Sequence, residues 1–338
     1  MDDDAGLPSI FDPEEAEEPW FLPPAGEEVG FPDPSLRPAQ VSLVDAAGWT
    51  AAEAAQASEL VELSFDFGRL TERTRLAGAG AVQRLALEEA ASLSWWTGDR
   101  VGGDRLALWA SYRIGATEED GGGLIRTAWA ARRLGAAPAQ GEALAAQVAS
   151  VLGEEDRTDS GLIADVAAEL EPLVEASSVT RGAALFHMWR SLDERPDHLR
   201  GLEAAVLGER LVGQGALPFL PLALTGFGAL TASGSPEARL SAWITGAHRA
   251  VLAALMALER LHQWRARAEA ATADLSGRTP ARLIAALVAH PMLGAAQAEA
   301  ETGASRAAVQ RNLDLLASRG LVREVTGQGR FRVWAAKM

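Results

Sequence analysis

Apolar residues recur at helical spacing along most of the chain between about residues 50 and 273. One stripe with steps of three and four residues predicts a long amphipathic helix and consists of Leu60, Leu63, Phe67 and Leu70. The longest such pattern runs from Pro236 to Arg267, and the apolar stretch Gly215–Gly228 predicts a buried loop and a short helix. No strand pattern of weight precedes Leu321, so we predict an all-helical body over residues 50–273.

The pattern changes near the C-terminal end, where three short helices are predicted. Pro280 suits the first turn of a helix, because proline lacks the N–H group that this position leaves unpaired, and Pro291 stops that helix. A short second helix, Ala295–Glu301, is followed by a turn. Ser305 is a good N-cap for the third helix, Arg306–Ser318.

Two short runs after the third helix predict a β-hairpin. Leu321–Val325 and Phe331–Trp334 alternate apolar and polar residues, and the glycines of Thr326–Gly329 between them can adopt positive φ. Helix, turn, helix and hairpin in this order are typical of a winged helix-turn-helix, whose recognition helix enters the major groove of DNA. We therefore predict a mainly α fold, with a helical bundle body and a winged helix-turn-helix with a small β-hairpin over residues 280–338.

The charge of this C-terminal segment is opposite in sign to that of the rest of the chain. The whole chain has a formal net charge of −15, whereas residues 280–338 hold seven Arg and one Lys against three Glu and one Asp, a net charge of +4. A basic module on an acidic protein suits a phosphate-binding surface. The acidic remainder would discourage non-specific coating of DNA.

The predicted DNA contacts lie at the start of the third helix and along the hairpin. We expect base-edge contacts from Ser305, Arg306 and Gln310, because Arg and Gln can form bidentate hydrogen bonds with guanine and adenine. The further predicted contacts, mostly to phosphates, are Arg311, Arg319, Arg323, Thr326, Arg330 and Arg332. A winged helix can also bind protein, and that alternative stays open at this point.

Composition excludes several classes of protein. The chain has no Cys, which excludes disulfides, thiolate zinc sites and cysteine nucleophiles. No uninterrupted apolar run reaches about 18 residues, and three Asp follow Met1 where a signal peptide has a basic segment. We therefore expect a cytoplasmic protein with no membrane span and no signal peptide, and we expect no cofactor and no metal.

The first 45 residues differ from the rest in composition. Eight of the sixteen prolines fall within about the first 40 residues, together with the acidic runs Asp2–Asp4 and Glu14–Glu18. Such a segment is predicted to be a disordered, solvating arm. The alternative is an arm that docks on a protein partner or masks the DNA-binding face, with Ile10–Asp12 and Trp20–Pro23 as its apolar anchors.

The motifs of common enzymes and metal sites are missing from the sequence. The five His residues include no HExxH motif and no pair four residues apart, and no Walker loop or GxSxG motif occurs. His187 lies in the hydrophobic segment PheHisMetTrp, and we interpret it as a core histidine. No catalytic residue is therefore predicted.

A resemblance to known proteins rests on four segments: Leu321–Trp334, Ala296–Val309, Leu85–Leu106 and Leu124–Leu134. They resemble, respectively, the wing, the second and third C-terminal helices, the N-terminal signature and the helix after it in a group of alphaproteobacterial proteins of unassigned function. These proteins are often plasmid-encoded and carry a C-terminal helix-turn-helix after a helical domain. The resemblance covers about residues 50–338.

This resemblance also implies a body similar to the Fic fold, whose active members transfer AMP to hydroxyl groups. The Fic motif needs a His base, an acid and a Gly-Asn-Gly-Arg anion cradle, and this sequence contains no Gly-Asn-Gly. The nearest region, His187–Arg200, lacks the glycines that bring backbone N–H groups to a phosphate. We therefore expect a degenerate Fic-like body without enzymatic activity.

The sequence thus predicts a transcriptional regulator that binds a specific sequence of double-stranded DNA. We expect a homodimer, because two half-sites one helical turn apart would compensate for the small surface of one module. The body would provide the dimer contact or receive a signal. The alternatives are a protein-interaction module, such as an anti-activator or an antitoxin-like partner, and a Fic-type nucleotidyl transferase that depends on His187 or His198.

Overall fold

The structure is a computed structural model that describes residues 44–114, 122–137, 143–153, 160–192, 195–327 and 331–338. The predicted arm, up to residue 43, and the predicted DNA contact Arg330 lie outside the described residues. The described chain is mainly helical, with a small three-stranded antiparallel sheet near the C-terminus. The predicted fold class is therefore confirmed at the level of a helical body and a small C-terminal hairpin.

The described helices of the body follow one another along the chain from residue 46. In order they are α1 (Ala46–Ala55), α2 (Ala57–Ala77), α3 (Ala79–Thr97), α4 (Gly103–Tyr112), α5 (Gly123–Gly135), α6 (Leu144–Leu152), α7 (Ser160–Leu170), α8 (Ser178–Leu192), α9 (Asp197–Val212), α10 (Gly228–Thr231) and α11 (Pro236–Ala271). A 3-10 turn, Glu171–Leu173, follows α7. The C-terminal elements are α12 (Thr279–Ala289), β1 (Leu293–Gly294), α13 (Ala295–Thr302), α14 (Arg306–Ser318), β2 (Val322–Glu324) and β3 (Val333–Ala336).

The body core follows the apolar pattern of the sequence. The predicted stripe on α2 is confirmed, because Leu60, Leu63, Phe67 and Leu70 are all buried. The segment between α9 and α10 is confirmed as a buried loop, with no exposed surface on Leu217, Phe219, Leu220 or Leu222. The short helix predicted within Gly215–Gly228 begins only at its last residue, as α10. Large aromatic side chains fill the centre of the body, and those without exposed surface are Phe186, Trp189 and Trp243. Burial of this apolar surface is the main force that holds these helices together.

One described helix is long and apolar enough to cross a membrane by length and composition alone, although no uninterrupted apolar run reaches that length. This helix is α11, and 39% of its most apolar 18-residue window is buried. Its buried side chains pack in the hydrophobic cores and include Leu240, Trp243, Ile244, Val251 and Trp264. Core packing thus accounts for its apolar composition.

The sheet contains a strand that the sequence did not predict. β3 is the central strand, with Trp334 opposite Leu293 of β1 on one side and opposite Glu324 of β2 on the other. β1 lies before Leu321, where the sequence shows no strand pattern of weight, but it lies outside the predicted all-helical body of residues 50–273. A strand of two residues has no room for an alternation of apolar and polar positions, so the pattern could not reveal it.

The core of the C-terminal module, which we define as residues 280–338, extends beyond its predicted boundary. Leu261, Trp264 and Ala268, on the last turns of α11, belong to the same apolar cluster as the buried side chains of α12, α13 and α14. The indole Nε1 of Trp264 donates a 2.7 Å hydrogen bond to the carbonyl oxygen of Leu321. Body and module belong to one compact unit.

A close contact between α3 and the end of α12 also joins the body to the module. A Cβ on Gly80 would stand 2.2 Å from the carbonyl oxygen of Ala289, so only glycine fits there. The Arg84 guanidinium donates to the carbonyl oxygens of Leu287 and, at 2.8 Å, of His290. Burial lowers the pKa of Arg84 to about 10. These bonds satisfy carbonyl groups that the end of α12 leaves without a helical partner.

Tyr112, the last residue of α4, connects the body to β1 and α13. Its hydroxyl accepts a 2.6 Å hydrogen bond from the Gly294 backbone N–H and donates one of 2.7 Å to Oε1 of Gln297.

We predict that Tyr112→Phe lowers the free energy of unfolding by about 1–3 kcal/mol, because it leaves a buried N–H without its acceptor. It should also speed amide hydrogen exchange at Gly294. Urea unfolding and exchange measurements check this, with the exposed Trp95→Phe on α3 as a control.

Candidate nucleic-acid interface

The predicted recognition helix, α14, has one buried and one exposed side. Val309, Leu313 and Leu316 are buried against the rest of the module. Ser305 is the N-cap residue, and its Oγ accepts a hydrogen bond from the Ala308 backbone N–H at 3.4 Å. This burial fixes which side chains of the helix face solvent.

The exposed side carries the predicted base-reading residues. The Arg306 side chain is 70% exposed, Arg311 is exposed and Gln310 is half-buried. A groove of about 640 Å³ runs beside the helix, and its lining includes Arg306, Gln310, Arg332, Gln297 and Tyr112. The structure therefore brings three of the predicted DNA contacts, Arg306, Gln310 and Arg332, to one groove.

Two acidic residues, Asp314 and Glu299, lie beside these side chains. Asp314 Oδ1 accepts hydrogen bonds from Nε2 of Gln310 at 2.9 Å and from Nη1 of Arg332 at 3.2 Å. The Arg332 guanidinium also lies over the Trp334 ring, 5.0 Å from its centroid. Arg306 Nε stands 3.4 Å from Oε1 of Glu299. Sequence reasoning did not single out Asp314, although its position four residues after Gln310 on one helix face was a usable signal.

Arg319 and Arg323 lie elsewhere, in ion pairs that join the module to other parts of the chain. The Arg319 guanidinium donates hydrogen bonds to both carboxylate oxygens of Asp274, at 2.6 and 2.8 Å. It also donates one to the carbonyl oxygen of Ala271. Arg323 Nη2 donates a 2.7 Å hydrogen bond to Asp104 of α4. To bind either arginine, a DNA phosphate would have to displace the carboxylate or share the guanidinium with it.

The remaining predicted contacts lie at the start of the hairpin loop and on α14. The carboxylate of Glu324 accepts hydrogen bonds from the backbone N–H groups of Thr326 and Gly327, at 2.8 and 2.9 Å, and from the Thr326 hydroxyl. These bonds shape the turn that leaves β2. Arg311 forms no ion pair with any residue in the described part of the chain.

His187, the residue on which the transferase alternative depends, lies in the body core. Its ring is 6.1 Å from Trp49 and 4.9 Å from Phe186, centroid to centroid, and its Nε2 has no hydrogen-bond partner among the described residues. Burial, with smaller contributions from Arg239 and Arg190, lowers the pKa of His187 to about 3. His187 is only 8% exposed, which does not support a role as a base toward a bound nucleotide.

The depressed pKa of His187 predicts sensitivity to acid. In the unfolded chain this histidine takes up a proton near pH 6.5, whereas the folded protein resists protonation down to about pH 3. Stability should therefore be lost as the pH falls from 6.5 toward 3, by up to about 1.4 kcal/mol per pH unit. Urea unfolding of the wild-type chain and of His187→Gln across this pH range tests the prediction, since the variant should lack the part of the pH dependence that His187 causes. Parallel pH profiles would contradict the assignment.

Among the residues that the structure describes, no group of three or more His, Asp or Glu side chains is arranged to hold a metal ion. Comparison with known proteins gives no match: no protein-family model fits the chain, and no curated protein matches it. The resemblance to alphaproteobacterial helix-turn-helix proteins stays a prediction. Support for a function therefore comes from the geometry around α14.

Proposed function

We propose that this protein is a transcriptional regulator that binds a specific sequence of double-stranded DNA through α14 and the β2–β3 hairpin. The observation that carries the proposal is the convergence of Arg306, Gln310 and Arg332 on one groove beside a capped helix. A helix of this kind, followed by a hairpin, can place its side chains in the major groove of DNA while the hairpin, as a wing, lies against the DNA backbone.

The proposed roles follow from the chemistry of each side chain. Arg306 and Gln310 read base edges, because each can form two hydrogen bonds to one base, and Ser305 lies beside them at the start of the helix. Arg311 and Arg332 neutralise phosphates. In this proposal Thr326 and Arg330 belong to the wing and contact the sugar-phosphate backbone of the DNA.

Arg319 and Arg323 have a different primary role in the proposal. Each already forms a close ion pair, with Asp274 and Asp104 respectively. We propose that they fix the orientation of the module and contribute less to DNA affinity than Arg306 and Arg311. The Arg306–Glu299 pair of the groove is easier to exchange, because the Arg306 side chain is 70% exposed and the two groups are 3.4 Å apart. Such solvated pairs contribute only about 0–1 kcal/mol.

In this proposal the protein is cytoplasmic, since chromosomal or plasmid DNA is its ligand, and the helical body regulates binding and carries no catalysis. The net charge of +4 in residues 280–338 attracts DNA toward the module. The acidic arm is a candidate contact for a protein partner. Binding as a homodimer would let one protein occupy two half-sites.

A second function is favoured by the acids within the same surface. Asp314 and Glu299 partly neutralise the groove, and two further arginines are occupied by carboxylates. A module of this kind can serve as a docking surface for another protein, such as an anti-activator or antitoxin-like partner. A gel shift with genomic fragments separates the two functions. The DNA proposal requires a shift that specific fragments compete for, whereas the docking alternative predicts no shift at physiological salt.

A further inference from the structure

Exposed apolar side chains of the described chain concentrate on one face of the body. We call it the α2–α11 face; its apolar members are Val61, Phe65, Leu76, Leu252 and Met256. A groove of about 1150 Å³ lies between the two helices. Phe65 is 69% exposed and Met256 is 62% exposed. Contiguous apolar surface of this kind indicates an interaction site.

The two helices of this face run side by side in the same direction. Asp66 of α2 contacts His248 of α11 at 2.8 Å, and further along both helices Arg73 contacts Glu259 at 3.4 Å. Their other sides are buried in the body core. The α2–α11 face is therefore a flat pair of parallel helices that lacks a covering layer among the described residues.

Gly68 lies on α2 between Phe65 and Leu76 and lines the same groove. A Cβ at this position would meet no atom within 4 Å, so nothing in the described chain requires glycine there. A glycine within a helix costs about 0.5–1 kcal/mol relative to alanine. A helix of another molecule that crosses at this point would explain the residue, because glycine lets two backbones approach closely.

The charges around the groove favour a second copy of this chain as the partner. Arg69 and Arg73 lie beside Glu72 and Glu259 on the groove lining. In a two-fold symmetric contact the same patch meets itself, so a rim of a single sign would repel its copy. A rim of both signs is self-complementary. An acidic partner, such as residues 1–43, would meet as many acids as bases here.

We propose that a second copy docks on the α2–α11 face, so that α2 and α11 of the two chains form an antiparallel four-helix contact. This arrangement buries the five exposed apolar side chains and matches the way helices pack in bundles. The proposal goes beyond DNA binding and does not depend on it. It also connects the dimer to the module, because Trp264 lies only about 12 Å along α11 from Met256.

Light scattering of the full chain over a range of concentrations tests the proposal. The wild-type chain of 35.6 kDa should reach twice that mass. Phe65→Glu and Met256→Glu should each raise the dimer Kd by roughly 10- to 100-fold, because a charge replaces an apolar side chain at the contact. Both sites are exposed, so circular dichroism should show an intact fold. Ile125→Glu on α5, at a residue 61% exposed, is the matched control and should leave the Kd unchanged.

Two further measurements separate a lost contact from a damaged fold and identify the occupant. Gly68→Leu should raise the stability of the helix and still abolish the dimer, which unfolding could not explain. A benzophenone side chain at position 65 should crosslink to α2 or α11 of another copy. A single-chain mass at every concentration, a dimer that survives both glutamate variants, or a crosslink into residues 1–43 would each overturn the proposal.

Discussion

Arg306→Ala is expected to reduce affinity for the cognate duplex by roughly 5- to 150-fold, which corresponds to about 1–3 kcal/mol for a bidentate base contact. The side chain is 70% exposed, and its ion pair with Glu299 is long at 3.4 Å, so removal of the side chain should not alter the fold. Gln310→Ala should instead relax the preference at one base pair. Fluorescence anisotropy with the cognate duplex and single-base variants measures both effects.

Two companion variants make this test specific. Arg265→Ala removes an exposed arginine that pairs with Glu269 on α11, outside the proposed interface, and should leave affinity within about twofold of the wild type. Asp314→Asn should tighten binding of all duplexes, because it removes a negative charge beside Gln310 and Arg332. Equal losses in Arg306→Ala and Arg265→Ala would mean that only general charge matters.

Glu89→Ala is expected to lower the free energy of unfolding by about 3–5 kcal/mol, the second large effect. Glu89 of α3 has no exposed surface, and its Oε1 accepts hydrogen bonds from the backbone N–H groups of Leu222 and Ala223 at 3.0 and 2.6 Å. Its carboxylate also contacts Glu209 of α9, which is fully buried as well. The alanine variant leaves these two buried N–H groups without an acceptor. Urea unfolding measures the loss, and the control Glu269→Ala, at a side chain of α11 that is 52% exposed, should change stability by less than about 0.5 kcal/mol.

The two buried glutamates make a separate prediction for pH. Two ionised carboxylates cannot share this apolar site, and burial, together with the charge of Glu89, raises the pKa of Glu209 well above its ordinary range. Glu209 is therefore the protonated partner. Its contribution to stability is complete below about pH 4.5 and is lost as the pH rises through the folded-state pKa.

Glu209→Gln removes this pH dependence and keeps a neutral hydrogen-bond donor beside Glu89. The variant should match or exceed the wild type in stability at neutral pH. Its advantage should grow above pH 4.5 by up to about 1.4 kcal/mol per pH unit, until the folded-state pKa is reached. Unfolding free energies of both proteins between pH 4 and 8 provide the test. A constant difference would show that Glu209 is ionised in the fold.

The spacing of apolar residues correctly predicted the helices that bury one amphipathic face. The stripe from Leu60 to Leu70 and the buried side of α14 are both confirmed. A helix that packs against any core buries residues three and four positions apart, so the sequence alone reveals this pattern. The N-cap at Ser305 is likewise a local feature, and the structure has its Oγ bonded to the Ala308 backbone N–H.

Features that depend on distant partners could not be predicted. β1 exists because Leu293 meets Trp334, and two residues carry no pattern of their own. Arg323 pairs with Asp104, more than two hundred positions away, and nothing local to either residue indicates this pair. The boundary of the module was also hidden, because the apolar spacing on α11 continues unchanged from the body core to Leu261 and Trp264.

The central claim, that α14 and its groove read a specific DNA sequence, is tested most directly by selection of duplexes from a random pool with the full chain. The account predicts that one recurring sequence is enriched. The logarithm of the binding constant for that sequence should fall linearly with the logarithm of the salt concentration. Arg306→Ala should abolish the enrichment, and Arg265→Ala should keep it. A pool that stays unenriched, with no duplex retained even at about 50 mM salt, would contradict the account.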